Sequence, residues 1–168
     1  MKSSIPSVLA ALSAAVVLTA CGGGGGPIFV DKDPESSGRS GSVTVAGSAT
    51  AARNGVYASN DVHLNEVEKV NPFGGDPELC RFRFGRLVQA GTQFVMNGDI
   101  RYQPGTNTVR VMFISINEVE YSLGNPVGTV DRLNDEIDFA AAPLTSSTGE
   151  TITLTGSIPM RDNRPEGC

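Results

Sequence analysis

The chain has no tryptophan, a single histidine (His63), three cysteines and only 6 % aromatic residues in its 168 positions. Without tryptophan and with so few rings, a carbohydrate-stacking platform has little material. One histidine leaves a serine or cysteine nucleophile one imidazole to serve as its base. His63 lies between Val62 and Leu64, on what should be the outer phase of a strand, where an exposed structural histidine is the simpler reading. Phosphate-loop, dinucleotide and haem-attachment patterns are absent. Charge is also sparse: 13 basic against 18 acidic side chains give a net −5, with no block of like sign. A mildly acidic surface without a basic patch excludes nucleic acid as a partner. The longest apolar run, residues 5–18, is shorter than the ~20 residues needed to cross a bilayer as a helix.

That short run is informative in another way. Lys2 and the amino terminus form a positive end, residues 5–18 an apolar core, and Thr19-Ala20 a small-residue pair, which is the layout of a secretory signal. Cys21 follows at once, and glycine fills positions 22–26. Leu18-Thr19-Ala20-Cys21 resembles the lipobox of bacterial lipoproteins. The resemblance implies that Cys21 receives a diacylglyceryl group, that residues 1–20 are removed, and that the new amino terminus is usually acylated as well. Two or three acyl chains, at about 0.8 kcal/mol per buried CH₂, hold a membrane where one alone is marginal. Gly22, in place of an aspartate, resembles the pattern that permits transfer to the outer membrane in enteric bacteria. The expected address is therefore the bacterial cell envelope, lipid-anchored at the outer membrane and facing the periplasm.

Cleavage would leave residues 21–168, a single-domain length, and would remove Lys2 and no acid, moving the formal charge from −5 to −6. Residues 21–41 read as a lipidated cysteine followed by a tether, because their glycine, serine and proline content cannot offset ordering entropy. As a flexible coil, about 20 such residues reach roughly 25 Å. Asp31-x-Asp33-x-Glu35 has the spacing that opens a calcium loop, but Pro34 and the missing turn glycine favour a solvated linker.

From residue 42 to 168 the apolar period becomes two, as in half-buried strands. Val43/Val45, Phe94/Met96, Val109/Val111/Phe113, Val119/Tyr121/Leu123, Ile137/Phe139 and Ile152/Leu154 alternate with smaller or more polar neighbours. Cys80/Phe82/Phe84 alternate with Arg81 and Arg83, which turns the aromatics inward and the guanidinium groups to water. Pro104-Gly105-Thr106-Asn107 and Ser146-Ser147-Thr148-Gly149 carry turn chemistry. Residues 60–70 are ambiguous, since Asn60 can cap a helix. A weak internal repeat favours strand there: 43–49, 94–100 and 152–158 align on Gly47, Gly98 and Gly156, and Leu64-Asn65-Glu66-Val67 matches Ile116-Asn117-Glu118-Val119. Each aligned glycine falls on the apolar phase, as at a sheet kink. At Asn-Glu the alternation slips in both copies, the mark of a bulge or a strand end. Expected inward positions are small at Val43, Val45 and Ala49, and large at Phe82, Phe84, Phe94, Met96 and Phe113. A last strand resembling the first can close a sheet on itself, so the expected fold is all-β, a small antiparallel barrel of about seven or eight strands, with a two-sheet sandwich as alternative.

With Cys21 assigned to lipid, Cys80 and Cys168 form an even pair in an exported, oxidising setting and are expected to bond. Two distant sulfurs and one histidine do not make a zinc site, and no other metal or cofactor is expected. Asp131, Asp135, Glu136 and Asp138 form the densest acidic group. Paired carboxylates hydrolyse glycosides when suitably separated, but interleaving with Arg132 and Asn134 reads as a solvated turn. The expected function is a non-catalytic binding or assembly module. Arg81, Arg83 and Arg86 are the candidate contacts to an envelope protein. A small-ligand carrier or hydrolase inhibitor is the alternative, and a carboxylate-based hydrolase the remote one. A carrier requires an interior cavity of roughly 300 Å³ or more; an assembly factor requires a filled core and an exposed apolar patch or open strand edge.

Overall fold

Alternation of buried and exposed side chains carries through the structured part of the chain, and strand pairing organises it. The computed structural model describes residues 35–36, 38–64, 67–71, 77–123 and 128–168. The expected signal segment, Cys21 and residues 22–34 of the expected tether lie outside the described residues. Twelve strands belong to one antiparallel sheet: β1 (Glu35–Ser36), β2 (Gly41–Ala46), β3 (Gly55–Ser59), β4 (His63–Leu64), β5 (Glu68–Val70), β6 (Leu79–Gln89), β7 (Val95–Tyr102), β8 (Val109–Ile116), β9 (Val119–Ser122), β10 (Thr129–Asp131), β11 (Glu136–Ser146) and β12 (Thr151–Pro159). Among the described residues the single helical element is a 3-10 turn, Ala51–Arg53.

The sheet closes into a barrel of eight strand positions. Consecutive strands pair around the ring, and β12 returns to β2 with Thr155 opposite Thr44 and Ser157 opposite Ser42. β3, β4 and β5 pair in succession along β6, so three short strands share one ring position. β9 and β10 likewise pair along β11, and β1 pairs with β4. Within residues 60–70, His63–Leu64 and Glu68–Val70 are strand, as the internal repeat implies, and no described residue there is helical. β1 and the start of β2 lie within the stretch expected as tether: Ser36 pairs with His63, and the Gly38 N–H donates to Asp61 Oδ1 at 2.8 Å.

Bulges decide which residues point inward. Strands β6 and β11 are both 11 residues long, and each shifts register midway, between Phe84 and Leu87 and between Phe139 and Ala142. Arg86 (φ 62°) and Ala141 (φ 54°) adopt left-handed backbone at these two points. The ring order places β6 and β11 opposite each other, so two bends fold the sheet around. Each bend stands beside an aromatic ring facing a glycine on the next strand: Phe84 opposite Gly98, and Phe139 opposite Gly156. A Cβ on Gly98 would lie 2.2 Å from the Phe84 ring, and one on Gly156 would lie 2.2 Å from the Ser42 carbonyl oxygen. The aligned glycines at 98 and 156 thus both stand where a side chain cannot fit, Gly98 against the Phe84 ring and Gly156, at φ 136°, against the backbone of β2. Gly47 does not: it follows the end of β2, at φ 80° with open space around it, and serves a turn.

A third register shift corrects two inward assignments. Tyr102 faces Val109 while Arg101 faces Val111, so Arg110 is the extra residue and the phase of β8 changes there. Met112, Ile114 and Ile116 are fully buried, whereas Val111 and Phe113 are only half-buried on the outer phase. Ala49 is exposed beyond the end of β2, because the strand stops at Ala46. Val43, Val45, Phe82, Phe84 and Met96 are inside as expected, and Phe94 is half-buried against the core. The Asn-Glu slip is a strand end in the second copy, where Asn117 (φ 48°) and Glu118 (φ 70°) form the tight turn from β8 to β9. In the first copy Asn65 and Glu66 lie outside the described residues, and the strands flanking them both pair with β6.

Candidate functional site

The barrel interior is one continuous apolar cluster, with Tyr57, Tyr102, Tyr121, Phe82, Met96 and Met112 all at 0 % exposure. Outward positions are mostly charged, polar or small, with Val56 and Val88 the large apolar exceptions on the strands. Lipid-embedded barrels have the opposite arrangement, with an apolar outer band and a polar lumen. Chemistry is thus confined to the two mouths and the outer wall.

One mouth is closed by residues 160–168. Cys80 and Cys168 are disulfide-bonded, with Cα atoms 5.6 Å apart. The Tyr102 hydroxyl donates to the Cys168 carbonyl oxygen at 2.7 Å in the interior. Burial pushes the Tyr102 phenol up from its ordinary pKa, and the positive fields of Arg164 and Arg132 partly oppose this. Arg132 donates to the carbonyls of Gly167 (2.5 Å) and Thr106 (3.2 Å), and the Gly105 N–H also donates to Gly167 (2.8 Å). Arg164 pairs with the Asp135 carboxylate.

The acidic group expected as a turn is found at this same mouth. Asp131 Oδ1 accepts the N–H groups of Leu133 (2.9 Å) and Asn134 (3.1 Å), and Oδ2 accepts the Asn134 amide at 2.7 Å. The hydrogen bonds from Asn134 hold the Asp131 carboxyl below its ordinary pKa. Asp138, on β11, is pushed up by burial and by the charges of Asp131 and Glu136. Glu136 lies 3.6 Å from Arg39. Arg39 also donates to the carbonyls of Asn134 (2.9 Å) and Met160 (3.2 Å). Asp131, Asp135 and Glu136 are engaged in holding the turn and its neighbours together. Among the described residues there is no cluster of three or more His, Cys, Asp or Glu side chains suited to a metal.

The opposite mouth is closed by a polar network on Glu150. Its Oε1 accepts the Ser48 hydroxyl (2.5 Å) and the Thr50 N–H (3.3 Å). Its Oε2 accepts Arg53 (2.7 Å) and the Tyr121 hydroxyl (2.9 Å). The Ser48 bond, followed by those of Tyr121 and Thr50 and the charge of Arg53, holds Glu150 below the usual carboxylate range. Gln89, 7 % exposed, donates to the Asn54 carbonyl at 2.7 Å, and the Tyr57 hydroxyl donates to the Arg53 carbonyl at 2.9 Å. The network draws on loops far apart in the chain, so no local motif announces it.

The outer wall has two unlike faces. Along β6 to β8 it carries Arg81, Arg83, Asp99, Arg101 and Arg110. Arg81 donates to Asp99 at 2.8 Å and 2.5 Å and lies 3.3 Å from Glu68, while Arg101 lies 3.3 Å from Asp99. Of the three arginines expected as partner contacts, Arg81 is therefore engaged within the barrel. Arg83 stands half-buried opposite Asp99, and Arg86 is exposed at the β6 bulge, where its N–H donates to Asn97 Oδ1 at 3.1 Å. His63 is half-buried on β4 opposite Gly85. From β3 across β2 and β12 to β11, the exposed residues are Val56, Ala58, Ser42, Thr44, Ala46, Thr151, Thr155, Ala140, Ala141, Pro143 and Thr145, none of them charged, and the half-buried carboxylates Glu136 and Asp138 stand at its β11 end. Thr44 faces Thr155, and Thr145 faces Thr151. At one end of this face is a depression of about 360 Å³, lined by Ser42, Ala58, Ser59, Ser157 and Glu136 among others.

No protein-family model, curated protein or solved structure matches this chain.

Proposed function

We propose that the protein is a non-catalytic binding or assembly module of the bacterial cell envelope, lipid-anchored through Cys21 and tethered by the residues after it. It engages another envelope protein through the outside of its barrel. The observation that carries this reading is the filled interior: Tyr, Phe, Met and Ile side chains occupy the space a carried ligand would need. The closed ring supports docking by side chains rather than by strand addition, because the pairing of β2 with β12 leaves no open edge in the ring itself.

The uncharged β3–β2–β12–β11 face is the preferred contact surface. Docking there strips water from hydroxyl and methyl groups, whereas docking over β6–β8 would have to desolvate arginines and carboxylates already paired with each other. Affinity purification of the lipidated chain from solubilised envelopes tests this. One stoichiometric protein should be recovered, and Thr155→Glu should release it. Recovery of lipid or glycan in place of protein would establish carriage, and a protein retained equally by Thr155→Glu would move the contact off this face.

A further inference from the structure

We infer that the outer wall formed by β6, β7 and β8 is a contact surface for anionic phospholipid headgroups, and that it sets which side of the barrel faces the membrane. The chain as a whole is acidic, at net −5, but residues 79–116 carry five arginines (Arg81, Arg83, Arg86, Arg101 and Arg110) against one acid, Asp99. Strand pairing gathers them on the outside. Arg81 stands directly opposite Arg101, Arg83 stands opposite Asp99, and Arg110 is exposed at the β8 bulge beside Arg101. Like charges directly opposite each other on adjacent strands oppose pairing. Asp99 accepts from both Arg81 (2.8 Å) and Arg101 (3.3 Å), and its single charge balances only one of them. Glu68 on β5, 3.3 Å from Arg81, and Glu120 on β9 stand at the two borders of the wall, and even with both counted the wall stays positive.

Three features select a membrane surface over an acidic protein. Headgroups are hydrated, so guanidinium groups already paired with Asp99 and Glu68 act on them through their field and keep their water, whereas a protein contact would have to desolvate those pairs. The ring order sets β6, β7 and β8 across the barrel from the uncharged β11, β12 and β2, so lipid contact on one wall leaves the opposite wall open to a protein. The chain also meets the barrel at the matching end. Traced back from Ser36 to Glu35, β1 runs toward the Cys80 end of β6, where Arg81, Arg101 and Arg110 each lie one residue from Cys80, Tyr102 and Val109. The direction of β1 matters only under the proposed anchor at Cys21; the charge of the wall stands without it.

The test is co-sedimentation of the folded, oxidised chain of residues 21–168, which contains every described strand, with phosphatidylcholine vesicles with and without phosphatidylglycerol. Cys21→Ser keeps this chain free of acyl groups. Binding to the anionic vesicles at low ionic strength, its loss as salt is raised, and none to phosphatidylcholine alone are expected. Arg86→Gln and Arg110→Gln, both at exposed positions, should each weaken binding about fivefold, the scale for one basic side chain at an anionic surface. Thr155→Glu makes the same change in net charge on the opposite wall and should leave binding nearly unchanged. Equal binding to both kinds of vesicle, or equal loss in Thr155→Glu and Arg110→Gln, would overturn the assignment. An acidic protein captured by the chain and released by Arg110→Gln, without vesicle binding, would also overturn it. The anchor is read separately, by the mass of the chain extracted from membranes: an unmodified Cys21 would remove the anchor and leave the vesicle result standing.

Discussion

The two mouths of the barrel are closed in different ways. At one, a covalent bond fixes residues 160–168 across the opening, and carbonyl oxygens of that segment satisfy Tyr102 and Arg132. At the other, no covalent link is involved: Glu150 accepts from Ser48, Thr50, Arg53 and Tyr121. The first closure depends on redox state; its carbonyl acceptors do not titrate, and its response to acid comes from the neighbouring turn, where hydrogen bonds hold Asp131 below its ordinary pKa. The second depends on one carboxylate staying ionised. A barrel core as apolar as this one needs both ends sealed, since water reaching buried tyrosines and methionines would forfeit the burial that holds the strands together.

Removing the bond should produce the largest difference between the ends. Cys80→Ser with Cys168→Ser is expected to cost about 4 kcal/mol by denaturant unfolding, the scale for a link across a long loop. Hydrogen exchange should rise at Tyr102 and Val109 while Tyr57 and Tyr121 stay protected; equal loss at both ends would show that the closures are one cooperative unit. Tyr121→Phe comes next, removing one donor to a carboxylate from a fully buried ring, at about 1 to 2 kcal/mol. Its effect should be confined to exchange near β9 and residues 48–54. Acid gives the smallest change. Because Glu150 is held below its ordinary pKa in the fold, its contribution is fully present above the unfolded value and is lost as pH falls through the folded one. Exchange at the Glu150 mouth should therefore rise in acid, and Glu150→Gln should remove that dependence; an unchanged acid response in Glu150→Gln would assign the effect to other carboxylates.

The comparison also explains what could be read in advance. The Cys80–Cys168 pairing follows from counting once Cys21 is set aside, because a disulfide needs only two sulfurs and an oxidising setting. The Glu150 network has no such signature: Ser48, Arg53, Tyr121 and Glu150 are ordinary residues in separate segments, and only ring closure brings them within hydrogen-bond reach. Arg81 illustrates the same limit. Alternation with Cys80 and Phe82 puts its guanidinium outside the barrel, but its partner Asp99 depends on the β6–β7 register. Phe113 failed as an inward residue because a single extra residue, Arg110, inverts the face of everything after it in β8.

Period-two alternation and turn residues were enough to establish an all-β chain, and the repeated glycines favoured a closed barrel over a two-sheet sandwich, because side-chain alternation and glycine's tolerance of close approach are local properties. Cysteine number and the apolar leader likewise sufficed for the disulfide and for the expectation of a lipid anchor. The bulges, the phase of β8, the two sealed mouths and the uncharged face became visible only in the tertiary structure. Each depends on which strands meet and in what register, and that is a property of the closed ring as a whole.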